Sequence, residues 1–151
     1  MTVLPKRPAA RLLVLDEAGR LLLFRFIVPD RPPFWATVGG AVDPGESFEE
    51  AARRELLEET GFDREPGPCI AIRHVSFKNF AGVLVDAEER FFVVRGAPRK
   101  IDDTRQTEEE RRYINGHRWW TPEELAAQDE IYFPVDLLDI WRDLLADEAT
   151  S

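Results

Sequence analysis

Gly40–Phe62 reads GAVDPGESFEEAARRELLEETGF, and the fold turns on how its second half is read. Ser47 is followed three positions later by Glu50, the pattern in which a hydroxyl and a carboxylate satisfy two free N–H groups at a helix start. Phe48–Thr60 contains neither Gly nor Pro, and Gly61 supplies a stop, so the spacing predicts a helix over 48–60. On a wheel of about 100° per residue, Phe48, Ala51 and Ala52 share the face that a helix turns toward a core. The same face, continued toward the C-terminus, carries Glu55, Glu58 and Glu59. Three carboxylates so close repel one another, and they sit at the negative end of the helix dipole. Arg54 can pair with Glu58 four residues on, but one guanidinium does not balance three negative charges. Once partly buried, such a cluster needs protons, cationic partners or a bound cation. Oxygen-only ligands suit hard ions, with Mg²⁺ or Mn²⁺ the natural choice where a phosphorylated substrate completes the coordination. A solvated acidic helix end is the competing reading, and the residues by themselves leave both open.

Upstream, Ala10–Leu15 and Leu21–Val28 are apolar runs separated by a D-E-A-G turn and read as a β-hairpin. PDRPP is a loop, and FWATVGGAV (Phe34–Val42) is a short strand interrupted by two glycines. Downstream, Cys69–Phe77 and Arg90–Arg95 read as strands. Ala97–Arg112 is charged, without apolar period, and reads as a long mobile loop. Ile114–Trp120 returns to a strand, a short helix starts at Pro122 with Thr121 as its cap, and the amphipathic run Val135–Leu145 closes what reads as one domain over residues 1–151.

The whole chain has 151 residues, is 44% hydrophobic and carries a formal charge of −9, which suits a globular domain and disfavours a partner such as duplex nucleic acid. One cysteine, Cys69, makes neither an internal disulfide nor a thiolate zinc site and reads as a small buried apolar residue. His74 and His117 lack spaced Cys or His partners, which argues against zinc. The opening MTVLPKRPAARLLVLD has no leader pattern, and nothing approaches the length of a membrane span. These features predict a cytoplasmic protein with no membrane partner.

With these residues in view, Gly40–Phe62 resembles the Nudix box, G-x5-E-x7-R-E-U-x-E-E-x-G-U with U a bulky apolar residue. Gly40, Glu46, Arg54, Glu55, Leu56, Glu58, Glu59, Gly61 and Phe62 match every specified position. FWATVGG and HRWWTPEEL resemble the segments that flank the box in Nudix proteins, although Val38 stands where many relatives have proline. The resemblance implies an α/β fold, the Nudix-type α/β/α sandwich with a mixed β-sheet. It also implies Mg²⁺-dependent hydrolysis of the pyrophosphate bond in a nucleoside diphosphate derivative: a nucleotide sugar, a (d)NTP or similar. Carried over by position, Glu55 and Glu59 look like metal ligands, and Glu58 ligates directly or through water. A backbone carbonyl of Gly39 or Gly40 adds a ligand, Arg54 orients the glutamates, and Gly45 and Glu46 shape the loop. A carboxylate must take the proton of the attacking water; in relatives this is a box glutamate or one on a distant loop, and here the loop candidate is Glu110, within Glu108–Glu110.

Trp35 is the best stacking candidate for a base, ahead of Trp119 and Trp120, which point to opposite faces of their strand. Arg25 and Arg31 are candidates for reaching phosphates. Two readings compete with a hydrolase: a catalytically silent nucleotide-binding module, against which the intact Arg54, Glu55, Glu58 and Glu59 set argues, and an isoprenoid diphosphate isomerase. Downstream markers do not choose the substrate. RHVSFKNFAG lacks the proline frequent in ADP-ribose hydrolases, and Phe77 and Phe80 stand where dinucleoside polyphosphate hydrolases often carry tyrosine. The oligomeric state is undecided by the sequence, and a homodimer is compatible with it.

Overall fold

Eleven residues of β1 (Lys6–Asp16) run through the centre of the molecule, and their alternation decides what lies on either side. The computed structural model describes residues 4–79 and 81–150; Phe80 lies outside them. Ala10, Leu12 and Val14 face one layer, while Leu13 and Leu15 face the other, and all five are buried. Around β1 assembles a mixed seven-stranded sheet in the order β4-β5-β1-β2-β3-β7, with β6 added on β2. Its strands are β2 (Leu21–Phe26), β3 (Phe34–Ala41), β4 (Cys69–Lys78), β5 (Leu84–Ala97), β6 (Ile114–Trp120) and β7 (Ile131–Phe133). The β1–β5 and β3–β7 pairs are parallel and the others antiparallel.

One sheet face packs on α1 (Phe48–Thr60), through Ala51, Ala52 and Leu56, none of which is exposed. Burying Leu56 alone is worth about 2 kcal/mol, and the two alanines let the helix lie close to the strands. The opposite face packs on α3 (Pro122–Ala127) and α4 (Leu137–Thr150) through Leu125, Leu137, Ile140, Trp141 and Leu144. Helix, sheet and helix thus form the three layers of an α/β sandwich.

The helix over 48–60 forms with the cap and stop that its sequence announces. Ser47 Oγ accepts from the Glu50 amide, Glu50 accepts from the Ser47 amide, and Gly61 takes a left-handed φ of 80°. Three expectations are corrected. The first two strands keep their turn, but β1 pairs with β2 only at Leu15 and Leu21 and gives most of its length to β5 and β3. The loop read over 97–112 ends earlier, because Thr107 and Glu110 form a second capping box and start α2 (Glu108–Tyr113). Cys69 is exposed on the edge strand rather than buried.

Candidate active site

Two consecutive glycines let α1 press its acidic end onto β3. Gly39 has a φ of 135°, and its amide donates to Glu59 Oε2 at 2.9 Å. A β-carbon on Gly40 would lie 2.7 Å from Glu55 Oε1, so the absent side chain is the space in which that carboxylate rests. From the other side of the sheet, Arg11 Nη1 donates to the Gly39 carbonyl at 3.2 Å, while its Nε donates to Glu89 at 3.0 Å. The Gly39 peptide is therefore held at both ends.

Arg54 organises the rest of the box. Its Nε and Nη2 donate to the two oxygens of Glu46 at 2.8 and 2.9 Å, and Nη2 also reaches the Ala41 carbonyl at 2.9 Å. Its Nη1 donates to Glu55 at 3.0 Å and to Glu58 at 3.2 Å. The Arg54 fork holds the Glu46 carboxyl below its ordinary pKa, and Glu46 in turn raises that of Arg54.

The third carboxylate comes from a segment some fifty residues away. Asp102 N donates to the Thr60 carbonyl at 2.8 Å and Gln106 Nε2 to the Glu59 carbonyl at 3.2 Å, which fastens the 98–107 loop to the end of α1. α2 then starts at the Thr107 cap, and Glu110 Oε1 accepts from the Thr107 amide at 2.9 Å. One oxygen each of Glu55, Glu59 and Glu110 lies within 4.8 Å of the others. Glu58 stays outside this group, half-exposed on Arg54.

Burial is the first cause that raises the pKa of all three box glutamates. Glu55, 7% exposed, is pushed up to about 7, with Arg54 opposing and Glu110 and Glu58 adding to the rise. Glu59, 4% exposed, rises well above the ordinary range through burial, then through Glu55 and Glu110. Glu110 Oε2 is buried without a hydrogen-bond partner among the described residues, and only a shared proton can join it to Glu59. An all-oxygen donor set short of positive charge fits a hard divalent cation. A pH effect follows. Because the folded-state pKa values of Glu55 and Glu59 lie above their unfolded ones, proton uptake favours the fold. In EDTA these groups cost stability progressively as pH rises from about 4.5 through 7. Melting temperature at pH 5.5 is expected to exceed that at pH 8, and Mg²⁺ should raise it more at pH 8; a pH-independent metal effect would contradict the coupling.

The three substrate candidates upstream of the box are not gathered here. Trp35, on β3, is corrected to a core residue. It is 9% exposed, packed edge-on against Trp120 at 4.9 Å on the α4 side, and its Nε1 donates to Glu130 at 2.9 Å. Arg25 shares that face of the sheet, opposite Trp35, and pairs with Glu130 at 2.7 Å and Asn115 at 2.9 Å. Arg31 lies over the Phe34 ring at 4.3 Å. Trp119 is partly buried on the α1 side and donates to the Arg99 carbonyl, while Trp120 is buried on the other. No helix among the described residues is long and apolar enough to cross a membrane. Sequence reasoning missed Arg11 and the Asp102 and Gln106 anchors. The T-x-x-E of Thr107–Glu110 was the available signal for α2.

Comparison with known proteins agrees with this geometry. A Bacillus subtilis (strain 168) protein with the provisional name 8-oxo-dGTP diphosphatase is 50% identical over 54 residues, covering 36% of this chain and 34% of that protein. The NAD-capped RNA hydrolase NudC of Stutzerimonas stutzeri (strain A1501) is 31% identical over 99 residues, 66% of this chain and 36% of that protein. The chain thus spans about a third of the length of these curated relatives. Among solved structures, a MutT protein from Methanosarcina mazei Go1 superposes with a TM-score of 0.73 at 20% identity, covering 98% of this chain and 99% of that one. Residues 5–137 match the NUDIX domain, and the chain belongs to that family.

Proposed function

We propose that the chain hydrolyses a phosphoanhydride bond of a nucleoside diphosphate derivative, with Glu55 and Glu59 holding a divalent cation, Mg²⁺ or Mn²⁺, and Glu110 accepting a proton. The observation that carries this reading is the convergence of three carboxylates, two of them buried, from segments far apart in sequence. When bound, the cation supplies neutralisation of the phosphate charge and acidification of water. The chain's own residues do the remainder. Arg54 holds Glu55 and Glu58 in place, and the Gly39 amide aims Glu59. Glu58, beside the cluster, adds negative charge at its exposed edge and is the candidate further ligand, together with the Gly40 backbone. Glu110, anchored through Oε1, has Oε2 free to take the proton of a water attacking one phosphorus in line.

The names of the relatives point to 8-oxo-dGTP and to NAD-capped RNA, so the testing panel runs from (d)NTPs and 5′-triphosphate oligonucleotides to nucleotide sugars and NAD. Phosphate or nucleotide release is read with Mg²⁺ and with Mn²⁺. No release from any member would overturn the reading. Glu110→Gln separates the roles. Gln keeps the capping-box acceptor, so α2 persists while the proton acceptor is lost. We expect kcat to fall about 100-fold or more, with Mn²⁺ affinity changed far less; an unaltered kcat moves the proton acceptor elsewhere.

A further inference from the structure

Glu110 is carried by a helix with little of its own to stand on. α2 is six residues long and buries none of them, so neither length nor an apolar face sets its direction. Beside it lies a cavity of about 160 Å³, lined among others by Phe24, Ile101, Gln106, Arg111, Ile114 and His117, where a packed helix would fill the space.

What holds α2 is polar. Thr107 and Glu110 fix one another across its first turn, but that bond travels with the helix. It sets how Glu110 sits on α2, not where α2 sits on the molecule. The second task falls to the next residue. Arg111 turns back past the cap and donates to main-chain carbonyls of the preceding loop: Nη2 to Thr104 at 2.7 Å and to Asp103 at 3.5 Å, and Nε to Gln106 at 3.3 Å. The Gln106 amide itself donates to the Asp103 carbonyl at 3.1 Å, so the guanidinium closes on a formed turn. That turn is fastened to α1 through Asp102 and Gln106. A continuous path results, from the Glu59 carbonyl through Gln106 and Arg111 to the turn of α2 that carries Glu110. It begins and ends on two members of the carboxylate cluster.

We propose that Arg111 is a positioning residue for Glu110: by clamping α2 to the 103–106 turn, it keeps that carboxylate beside Glu55 and Glu59 while touching neither substrate nor cation. The proposal rests on the reading that Glu110 takes the proton of the attacking water. A planar fork can hold several carbonyls at once on fixed bearings, and each of these bonds is charge-assisted. Proton transfer needs the acceptor within hydrogen-bond reach of the water, so a shift of about 1 Å in Glu110 costs rate rather than binding.

The test uses the full chain and two measurements. Amide hydrogen exchange reads α2 directly, at the Glu110, Arg111 and Ile114 amides, which donate to Thr107 Oγ, the Thr107 carbonyl and the Glu110 carbonyl. In Arg111→Met these amides are expected to exchange at least about tenfold faster, with α1 exchange unchanged and the melting temperature within about 2 °C of wild type. Steady-state kinetics then reads Glu110. With the best substrate of the panel, kcat is expected to fall at least about tenfold, while KM changes less than about threefold. In a Glu110→Gln background the same Arg111→Met change should alter kcat less than about twofold, because its effect runs through a group already removed. A residue that only supported the fold would lower kcat alike in both backgrounds, and that outcome overturns the proposal. Unchanged exchange in α2 overturns it too, as does faster exchange with kcat intact. Failure of the hydrolase reading looks different. A wild type that hydrolyses no member of the panel, with α2 exchange still dependent on Arg111, removes the enzyme and leaves Arg111 holding Glu110 in place. Hydrolysis with kcat independent of Arg111 removes the clamp and leaves the enzyme.

Discussion

Glu59→Gln is expected to reduce divalent-dependent hydrolysis by about 1,000-fold or more, equivalent to roughly 4 kcal/mol of transition-state stabilisation. Glu59 is the most deeply buried member of the cluster, and its carboxylate already spends one oxygen on the Gly39 amide. Gln keeps the volume and a carbonyl to accept that hydrogen bond, so the variant removes charge with little else. Its effect on stability should run the opposite way. With one like charge gone from beside Glu55 and Glu110, the metal-free variant should melt higher than the metal-free wild type at pH 8, and Mg²⁺ should no longer raise its melting temperature as much. Activity, thermal unfolding in EDTA and thermal unfolding in Mg²⁺ together check the assignment. Turnover preserved at saturating metal would remove Glu59 from the chemistry.

Gly39→Ala is expected to cost the fold more than any single change on the surface. A β-carbon there would stand 2.1 Å from the Ala10 carbonyl oxygen and 2.7 Å from the Arg11 α-carbon, both main-chain atoms of the central strand. Neither can swing aside as a side chain does, and the φ of 135° is one that L residues rarely adopt. Backbone strain and overpacking together give about 3–6 kcal/mol, a large part of the stability of an ordinary domain. A fall in melting temperature of about 10 °C or more is the expected reading, unless the variant is recovered only as aggregate. Gly45→Ala is the control. Its φ of 80° is also left-handed, but nothing lies within 4 Å of the added carbon. It should cost only about 1 kcal/mol. Equal losses at the two positions would mean that conformation, not the close approach of β1, sets the demand at Gly39.

What the sequence disclosed was mostly local. The α1 boundaries, its cap, its glycine stop and the inward stripe that turns acidic at Glu55 and Glu59 are all set by residues within one stretch, and the structure has them where the spacing predicts, while Glu58 turns out of the stripe onto Arg54. β6 and α3 likewise begin and end where their own residues say. Partner choice among strands is a different kind of information. Nothing in Lys6–Asp16 states that β5 and β3 will compete with β2 for it, because that depends on the shape of the whole sheet. Trp35 shows the same limit. An aromatic beside the box has no inherent direction until the sheet assigns its face, and it then lies with Trp120 in the layer under α4. Charge bookkeeping failed for a related reason. Arg25 is taken by Glu130, 105 positions away in sequence, while Arg7, which sequence reasoning passed over, has no acceptor at Nη1 among the described residues.

The second capping box has an implication for how such a site tolerates change. Glu110 grips the Thr107 amide with one oxygen while its carboxylate lies beside Glu55 and Glu59, so the bond that begins a short helix also fixes the bearing of the carboxylate proposed as proton acceptor. Insertions or deletions between Ala97 and Asp102 can remodel the rim of the cleft, for the aim of that acid is set afresh, after the loop, by four consecutive residues. On the proposed hydrolase reading, variation in what the site admits and constancy in what it does are thereby assigned to separate lengths of chain.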